Sequence, residues 1–457
     1  MASSNFRVIV AGGGPIGLTA AHMLSKAEID FIVLEKRDTI IPQAGSSITT
    51  LPQTLRVYDQ LGLLHSARAV SHIMDVRYQI TLDGYRYNTT RSFQRIAENH
   101  GHYLLIYHRS DLLKMLYDEL SDADKSKILM RKTVADIDIR EDGVLVKCED
   151  GTSFEGSIVI GADGVHSRVR NLMRSLALSE SPHAVVNDEK PFLTSFRCMF
   201  GTMELVPGLV VLQSWSSHGT GITTQLFVQP GKASFFVYEK LKQPTRERVR
   251  YSEKDQEQFV ERLGDICLTD TMKFKDLWEA KLSSVLTNLE EGTVKVWTWN
   301  RIAIAGDAAN KMTPNSGVGY NSGVQDLVVL VTELRSLLDR HPGGEPISTE
   351  SVQEALDKYQ KTRCEEAANT CREAGSATRL QAWANWIYWL LDRYILSLPI
   401  MNRWIVDTKV GGWVRKGRVL PFLEEKSLGK GKIPWVYLPE VVTKKVGVDL
   451  SRSTTSS

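Results

Sequence analysis

The chain of 457 residues lacks several features that would place a protein in a function class at once. Its five cysteines are scattered, form no CxxC pair and are odd in number: Cys148, Cys198, Cys267, Cys364 and Cys371. Disulfide frameworks and zinc sites need paired or closely spaced thiols, so the sequence predicts reduced cysteines, no metal site and an intracellular, reducing compartment. The formal net charge is only +2, which predicts no nucleic-acid partner.

The two ends of the chain carry little sign of targeting. The start, MASSNFRVIV, enters an apolar run within a few residues, so no secretory signal is expected. Residues 451–457, SRSTTSS, are short and polar, and we expect this tail to be disordered.

What is present begins with a glycine-rich turn between two apolar stretches. In VIVAGGGPIGLTAAHMLSK, Gly12, Gly14 and Gly17 have the spacing Gly-x-Gly-x-x-Gly, with Pro15 where a helix would begin. A second apolar stretch, Phe31–Leu34, ends at Glu35. A strand, turn and helix of this kind bring backbone N–H groups to a pyrophosphate, and the acid binds ribose hydroxyls. This unit predicts a dinucleotide, and both NAD(H) and FAD use it.

Two later stretches have the same form of an apolar strand that ends in a turn. SIVIGADGVHSRVR carries Asp163 and Gly164 directly after its strand. RIAIAGDAANKMTPNSGVGYNSG places Asp307 at a strand end, then a Pro- and Gly-rich turn, then a helix from about Gly319.

Together the motifs GxGxxG, GADGxxSxxR and GDAA followed by PxxGxGxN resemble the FAD-dependent monooxygenases of the aromatic-hydroxylase type. The wording MTPNSGVGYNSG is most similar to fungal FAD-dependent epoxidases and hydroxylases of terpenoid and meroterpenoid pathways. The resemblance implies an α/β fold with three parts. These are a Rossmann-like FAD domain of the glutathione-reductase type (1–75, 101–175 and 291–375), an antiparallel substrate sheet (76–100 and 176–290) and a helical C-terminal region (376–450).

The resemblance also implies which residues hold a non-covalent FAD. Besides the glycines and Pro15, these are Glu35, Arg37, Gly45, Thr49, Arg109, Asp163, Gly164, Asp307, Pro314, Gly317, Gly319, Tyr320 and Asn321. In this pattern Asp307 accepts hydrogen bonds from the ribityl chain, and the Gln43–Thr49 loop passes the flavin ring. For Asp163, a tight turn at a strand end is an equal alternative. Relatives commonly have histidine at Asn310, glycine at Thr49, and alanine or glycine at Tyr320.

The chemistry implied is insertion of one oxygen atom from O2 through a flavin C4a-hydroperoxide, with NADPH or NADH as reductant. A phenol hydroxylase needs a base or a cation near the ring oxygen, and a prenyl epoxidase needs a long apolar pocket. Strand-like alternation over about 191–240 predicts the substrate sheet. Its candidate substrate contacts are Arg197, Trp215 and Tyr238.

Residues 376–457 differ from the rest of the chain. They hold six of the ten tryptophans, and thirteen Lys and Arg against six Asp and Glu. The longest uncharged run there, Leu380–Leu391, has 12 residues, against the roughly 20 that span a bilayer. Trp383, Trp386 and Trp389 predict one side of a single helix. Residues 380–418 therefore fit either a peripheral membrane contact or a buried helical hairpin.

Two other functions remain open. A flavin-dependent halogenase is disfavoured, because Trp297-Thr298-Trp299 is followed by Asn300-Arg301 and does not complete a WxWxIP motif. A non-catalytic FAD-fold escort protein is disfavoured by the intact GDAA and PxxGxGxN motifs, since such a protein has little need of the flavin-ring site.

Overall fold

The structure is a computed structural model that describes residues 6–41, 45, 47–343, 345–427 and 429–440. The predicted disordered tail, 451–457, lies outside these residues. So do Gln43, Ala44 and Ser46 of the predicted flavin loop.

The described residues alternate between strands and helices along most of the chain. The strands are β1 (Arg7–Ala11), β2 (Asp30–Glu35), β3 (Ser47–Thr50), β4 (Val76–Thr81), β5 (Arg86–Thr90), β6 (Leu105–His108), β7 (Ile128–Met130), β8 (Val134–Ile139), β9 (Val144–Cys148), β10 (Ser153–Gly156), β11 (Ile158–Gly161), β12 (Leu193–Glu204), β13 (Gln213–Gly219), β14 (Ile222–Val228), β15 (Lys232–Thr245), β16 (Lys281–Thr293), β17 (Thr298–Trp299), β18 (Ile302–Ile304) and β19 (Asn310–Lys311). The helices are α1 (Pro15–Lys26), α2 (Pro52–Leu61), α3 (Leu64–Ala69), α4 (Ser92–His100), α5 (Arg109–Asp118), α6 (Asp122–Lys125), α7 (Arg168–Glu180), α8 (Glu253–Leu263), α9 (Phe274–Trp278), α10 (Gly319–Arg340), α11 (Thr349–Gln381), α12 (Trp386–Leu390), α13 (Pro399–Trp404) and α14 (Gly411–Val414).

A mostly parallel sheet forms the first half of the fold. Its strand order is β17-β18-β11-β1-β2-β7, and only the β17–β18 pair is antiparallel. Val8, Ile9 and Val10 of β1 are wholly buried, because α1 packs against the strand and the three-stranded sheet β10-β9-β8 lies against it as well. Both strands of the glycine unit, its helix and the start of α10 at Gly319 confirm the α/β prediction.

An eight-stranded sheet forms the second half, in the order β19-β16-β12-β15-β14-β13-β4-β5. All its neighbours are antiparallel except β13 and β4. One face packs against α8 and α9, where Phe259 and Phe274 are buried. The predicted boundary at 290 falls inside β16, and the division into domains stays a prediction.

The C-terminal region corrects one prediction. Helix α11 ends at Gln381, Trp383 has a positive φ of 41°, and Asn385 caps a new helix by accepting from the Tyr388 N–H. The prediction that Trp383, Trp386 and Trp389 share one helix is therefore wrong, because the chain turns between the first two. No helix in the described ranges combines the length and apolarity needed to cross a membrane.

Candidate active site

A cavity of about 1270 Å³ lies where the carboxyl ends of β1 and β2 meet the second sheet and residues 380–418, called the C-terminal segment below. Pockets for single small molecules are usually about 300–1,000 Å³. The volume therefore suits a large ligand together with a smaller one. Open α/β sheets bind ligands at these strand ends, so the position agrees with the sequence.

The three fingerprint glycines are each needed for a different reason. Gly12 has φ +109°, and a Cβ there would lie 2.6 Å from the carbonyl oxygen of Ala162. A Cβ on Gly17 would lie 1.8 Å from the carbonyl oxygen of Gly12, so helix α1 packs closely on the turn. A Cβ on Gly14 would meet nothing within 4 Å, because this glycine faces the cavity.

Helices α1 and α10 begin at the cavity without a side-chain cap. Helix α1 starts at Pro15 after Gly14, and α10 starts at Gly319 after Val318. All four residues line the cavity. The first N–H groups of a helix have no partner within it and carry a partial positive charge. The two helix starts therefore offer free donors to a phosphate and to a polar ring edge.

Glu35 organises the edge of the cavity at the end of β2. Its Oε2 accepts from the Gly13 N–H at 2.7 Å, and its Oε1 accepts from the Arg37 N–H at 2.9 Å. The side chain is buried, and both Glu35 and Arg37 line the cavity. Each carboxylate oxygen has a second lone pair, so the acid can also accept from a ligand hydroxyl.

Arg109 and Asp307 both line the cavity. Arg109 has no hydrogen-bond partner among the residues that the structure describes. Burial lowers the pKa of its guanidinium, and the charge of Asp307 opposes that effect. Asp307 Oδ2 accepts from Lys311 Nζ at 2.5 Å. A Cβ on Gly45 would come within 3.1 Å of the Arg109 side chain, so this glycine lies directly against the arginine.

Asp163 forms the tight turn at the strand end, and its contact with the flavin stays a prediction. Its Oδ2 accepts from the N–H groups of Arg168 at 2.7 Å and Val169 at 3.1 Å, which holds the turn into α7. Its Oδ1 is buried without a partner in the described part of the chain, and the residue lines the cavity. Gly164, with φ +84°, lines it too.

The turn at Pro314–Asn321 is locked onto β3. Gly317 has φ +65°, and its carbonyl accepts from Thr49 Oγ1 at 2.8 Å. Asn321 accepts from the Leu51 N–H and donates to the carbonyl oxygens of Thr49 and Gly317. Pro314, Gly317, Gly319, Tyr320 and Thr49 line the cavity. Asn321 and Gly17 are outside its lining: Asn321 holds the turn through its hydrogen bonds, and Gly17 lets α1 pack closely on the glycine turn.

At two positions where this chain departs from the family pattern, Tyr320 and Asn310, the side chain has hydrogen-bond partners. The Tyr320 hydroxyl lies 2.8 Å from Thr19 Oγ1 and 2.6 Å from the Tyr58 hydroxyl, and burial raises its pKa to about 12. Asn310 donates to the buried Asp326 at 3.0 Å and does not line the cavity.

The structure separates the three predicted substrate contacts. Arg197 is outside the cavity lining; it pairs with Glu239 at 2.8 Å on the sheet face that packs against α8. Tyr238 is fully buried and donates to Gln225 at 3.0 Å, so it positions a residue that does line the cavity. Trp215 is in the lining, and its ring packs on Tyr78 with centroids 4.3 Å apart.

Two parts of the cavity were not predicted from the sequence. Arg77 lines it and has no hydrogen-bond partner within the described ranges. The C-terminal segment supplies a wall through Asn402, Ile405, Val406, Lys409, Val410 and Trp413. The alternation Ser214, Ser216, His218 along β13 was the one available signal for polar groups on this face.

The glycine cradle, the two uncapped helix starts and the acids at the strand ends define a dinucleotide-binding flavoprotein. A family model described as FAD binding domain matches residues 5–374. The chain is 33% identical to the FAD-dependent monooxygenase srdH of Neurospora crassa, over 94% of this chain and 98% of that one. It is 36% identical to spyC of Aspergillus fumigatus, over 86% and 83%.

Solved structures agree in fold. Klebsiella pneumoniae HpxO complexed with FAD and uric acid covers 90% of this chain and 98% of its own, with a TM-score of 0.70 and 19% identity. A salicylate hydroxylase substrate complex covers 90% and 98%, with a TM-score of 0.66 and 18% identity. The chain belongs to the FAD-binding-domain family, among its FAD-dependent monooxygenases.

Proposed function

We propose that the protein consumes NADPH or NADH and inserts one oxygen atom of O2 into an apolar or aromatic intermediate of fungal secondary metabolism, by hydroxylation or epoxidation. One observation carries this proposal. A single cavity holds a dinucleotide cradle at one end and, at the other, a chamber lined by Phe93, Ile96, Phe200, Phe227, Phe236 and Leu289.

The residues at the first end fit FAD. Gly12 and Gly14 leave room for a pyrophosphate beside the start of α1, and Glu35 can accept from the adenosine ribose. Asp307 holds an acceptor for the ribityl hydroxyls, and the start of α10 offers N–H donors to the ring. Arg109, left without a protein partner among the described residues, can neutralise negative charge on the bound cofactor.

FAD, when bound and reduced, supplies the activation of O2, which no side chain here can perform. The chain's residues then have to orient the substrate and exclude water. The aromatic chamber does both, because its walls are apolar and the C-terminal segment lies across it.

The decisive experiment follows the oxygen atom. Purified protein should be yellow with FAD released on denaturation, and product formed under ¹⁸O₂ should carry one ¹⁸O atom. A colourless protein that takes up no added FAD contradicts the cofactor assignment. Product labelled from water instead of O2 contradicts the monooxygenase reaction.

We also propose that the C-terminal segment rests on an anionic membrane surface. Nine of its large apolar side chains are exposed: Trp386, Ile387, Trp389, Leu390, Tyr394, Ile395, Leu398, Ile400 and Trp404. Arg393, Arg403 and Lys409 lie among them. Tryptophan and tyrosine beside cations suit the headgroup region, and the same segment lines the cavity, so a lipophilic substrate could enter from the bilayer.

Sedimentation with vesicles tests this surface. Wild-type protein should pellet with phosphatidylserine vesicles, less in high salt, and the triple variant Trp386→Ser, Ile400→Ser, Trp404→Ser should stay in solution with its flavin bound. A matched control replaces three exposed valines elsewhere, Val185, Val210 and Val211, with serine. Failure of the wild type to pellet, or equal loss in the control, removes the membrane proposal.

A further inference from the structure

A chain of hydrogen bonds leads from the substrate end of the cavity to the C-terminal region. Ser216 on β13 lines the cavity, and its Oγ lies 2.8 Å from His218 Nε2 and 3.1 Å from the carbonyl oxygen of Thr224, so the two acceptors compete for the hydroxyl proton. His218 Nδ1 lies 2.7 Å from Asp392 Oδ2. His218 is wholly buried, and Asp392 nearly so. Ser216 and His218 are two residues apart on one strand, so both side chains point to the same face.

Asp392 is held as an acceptor by more than the histidine. Trp383 Nε1 donates to its Oδ2 at 2.8 Å, and the Tyr87 hydroxyl donates to it at 2.9 Å. Burial alone would raise the pKa of Asp392, but its contacts with His218, Trp383 and Tyr87 keep that pKa below its ordinary value. An ionised Asp392 accepts the proton on His218 Nδ1, which leaves Nε2 of the neutral ring as an acceptor facing Ser216.

Arg77 places a positive charge beside these hydrogen-bonded side chains. It lies on β4 directly opposite Ser214 in the parallel register, so its side chain leaves the sheet on the same face as Ser216. Burial lowers the pKa of Arg77, and the charge of Asp392 opposes that effect. Among the described residues it has no hydrogen-bond partner, although it lines the cavity. An arginine in this position has donors to offer to a ligand oxygen.

We infer that the substrate carries an acidic hydroxyl, a phenol or an enol, which Ser216, His218 and Asp392 deprotonate while Arg77 binds the resulting oxyanion. The inference rests on the proposed monooxygenase function and names the chemical class of its substrate. It favours hydroxylation of an activated ring or enol over epoxidation of a plain prenyl chain, because only the former gains from an ionised oxygen.

The proton balance is simple. The substrate O–H bond breaks, its proton passes to Ser216 Oγ, and the Ser216 proton passes to His218 Nε2. The electron pair stays on the substrate oxygen beside Arg77, and the imidazolium formed is stabilised by Asp392. No electron is transferred in this step. Ser216 touches the substrate, whereas His218 and Asp392 act through it.

Tyr87 and Arg393 also lie near this hydrogen-bonded chain of side chains. Tyr87 contacts both His218 Nδ1 and Asp392, and burial raises its pKa, so it stays neutral. The Arg393 guanidinium lies 4.5 Å from the centre of the Tyr87 ring. The carboxylate of Asp392 is negative, and it contacts the histidine directly.

The ionisation of a bound coloured phenol tests the inference in the flavin-loaded protein. 4-Nitrophenol is titrated by difference absorbance against pH, with nitrobenzene as a non-ionisable ligand of similar shape. In the wild type, the bound phenol should ionise at least about one pH unit below the free phenol, because an opposite charge at close range favours the anion. Arg77→Gln and His218→Gln should shift this midpoint back upward, and Arg77→Lys should restore part of it.

Comparing the affinities for nitrophenolate and for nitrobenzene separates recognition of the negative charge from recognition of the ring's shape. Arg77→Gln should weaken nitrophenolate binding about ten- to a hundred-fold, the effect of one charge-assisted hydrogen bond, and leave nitrobenzene binding unchanged. Ser217→Ala is the matched control, since Ser217 lies on the same strand but donates to the carbonyl of Cys267 on the other face. Arg197→Gln, an arginine outside the cavity, is the second control.

Bound flavin is measured in every variant, so the two proposals fail separately. Protein that holds no flavin contradicts the proposed function. Flavin-loaded wild type that binds nitrophenol with an unshifted midpoint overturns the inference alone. So does a midpoint that Ser216→Ala and His218→Gln move no more than Ser217→Ala does.

Discussion

Replacing Glu35 with alanine should destabilise the protein even before FAD is considered. The buried carboxylate accepts from the N–H groups of Gly13 and Arg37 at 2.7 and 2.9 Å. Hydrogen bonds to a charged group contribute about 1.5–3 kcal/mol each, and a buried donor left without a partner costs a similar amount. Gly13 is buried, whereas Arg37 is exposed and its N–H can be rehydrated. The free energy of unfolding should therefore fall by about 2–4 kcal/mol.

That loss is a large share of the roughly 5–15 kcal/mol that stabilises a typical protein. Urea unfolding of the flavin-free protein, followed by tryptophan fluorescence, measures it directly. Glu35→Gln should lose about half as much, because its amide keeps one acceptor and places a donor against the other N–H.

Adding FAD separates binding from stability. Wild-type protein should gain stability with FAD by mass action, and Glu35→Ala should gain less at the same concentration. A flavin-free Glu35→Ala protein that unfolds at the wild-type urea concentration would refute the argument, since the two backbone donors would then have found other partners.

Three further changes test single contacts. Asp307→Ala should weaken FAD binding about ten- to a hundred-fold with little change in stability, and equilibrium dialysis with FAD measures the affinity. The control is Asp339→Ala, because Asp339 also forms an i,i+4 ion pair with a cation of its own helix. Gly317→Ala should cost about 1–2 kcal/mol in backbone strain, as should Gly231→Ala. Only Gly317→Ala should also lose flavin, because its Cβ would lie 2.2 Å from Thr49 Oγ1. Tyr238→Phe should lower the unfolding free energy by about 0.5–1.5 kcal/mol and leave flavin content unchanged.

The FAD half of the protein could be predicted because its signals are local. Gly12, Gly14 and Gly17 lie within six residues, and each answers a steric demand of one turn. The strand, helix and acid around them follow within the next 18 residues. Such a motif can be recognised from its own residues without knowledge of the rest of the chain, because the backbone geometry of the turn requires glycine at these positions.

The substrate end could not be predicted in the same way. Arg197 and Tyr238 lie on strands covered on both faces, so the alternation of side chains shows two faces but not which one meets the cavity. His218 and Asp392 are 174 residues apart, and only the folded chain brings them together. Trp383 turns back at a positive φ, which the composition of its segment did not indicate.

The tryptophans of the C-terminal segment do not share one environment, so the two alternatives of a membrane contact and a buried hairpin do not exclude each other. Trp413 lines the cavity and donates to Thr370 at 3.1 Å, and Trp383 donates to the buried Asp392, so these half-buried rings are anchored to the body of the protein. Trp386 and Trp404 are exposed on the same segment. Neighbouring tryptophans thus meet different environments because short helices and turns replace one long helix. Any change that straightens this segment should disturb the cavity wall, the Asp392 contact and the exposed face together.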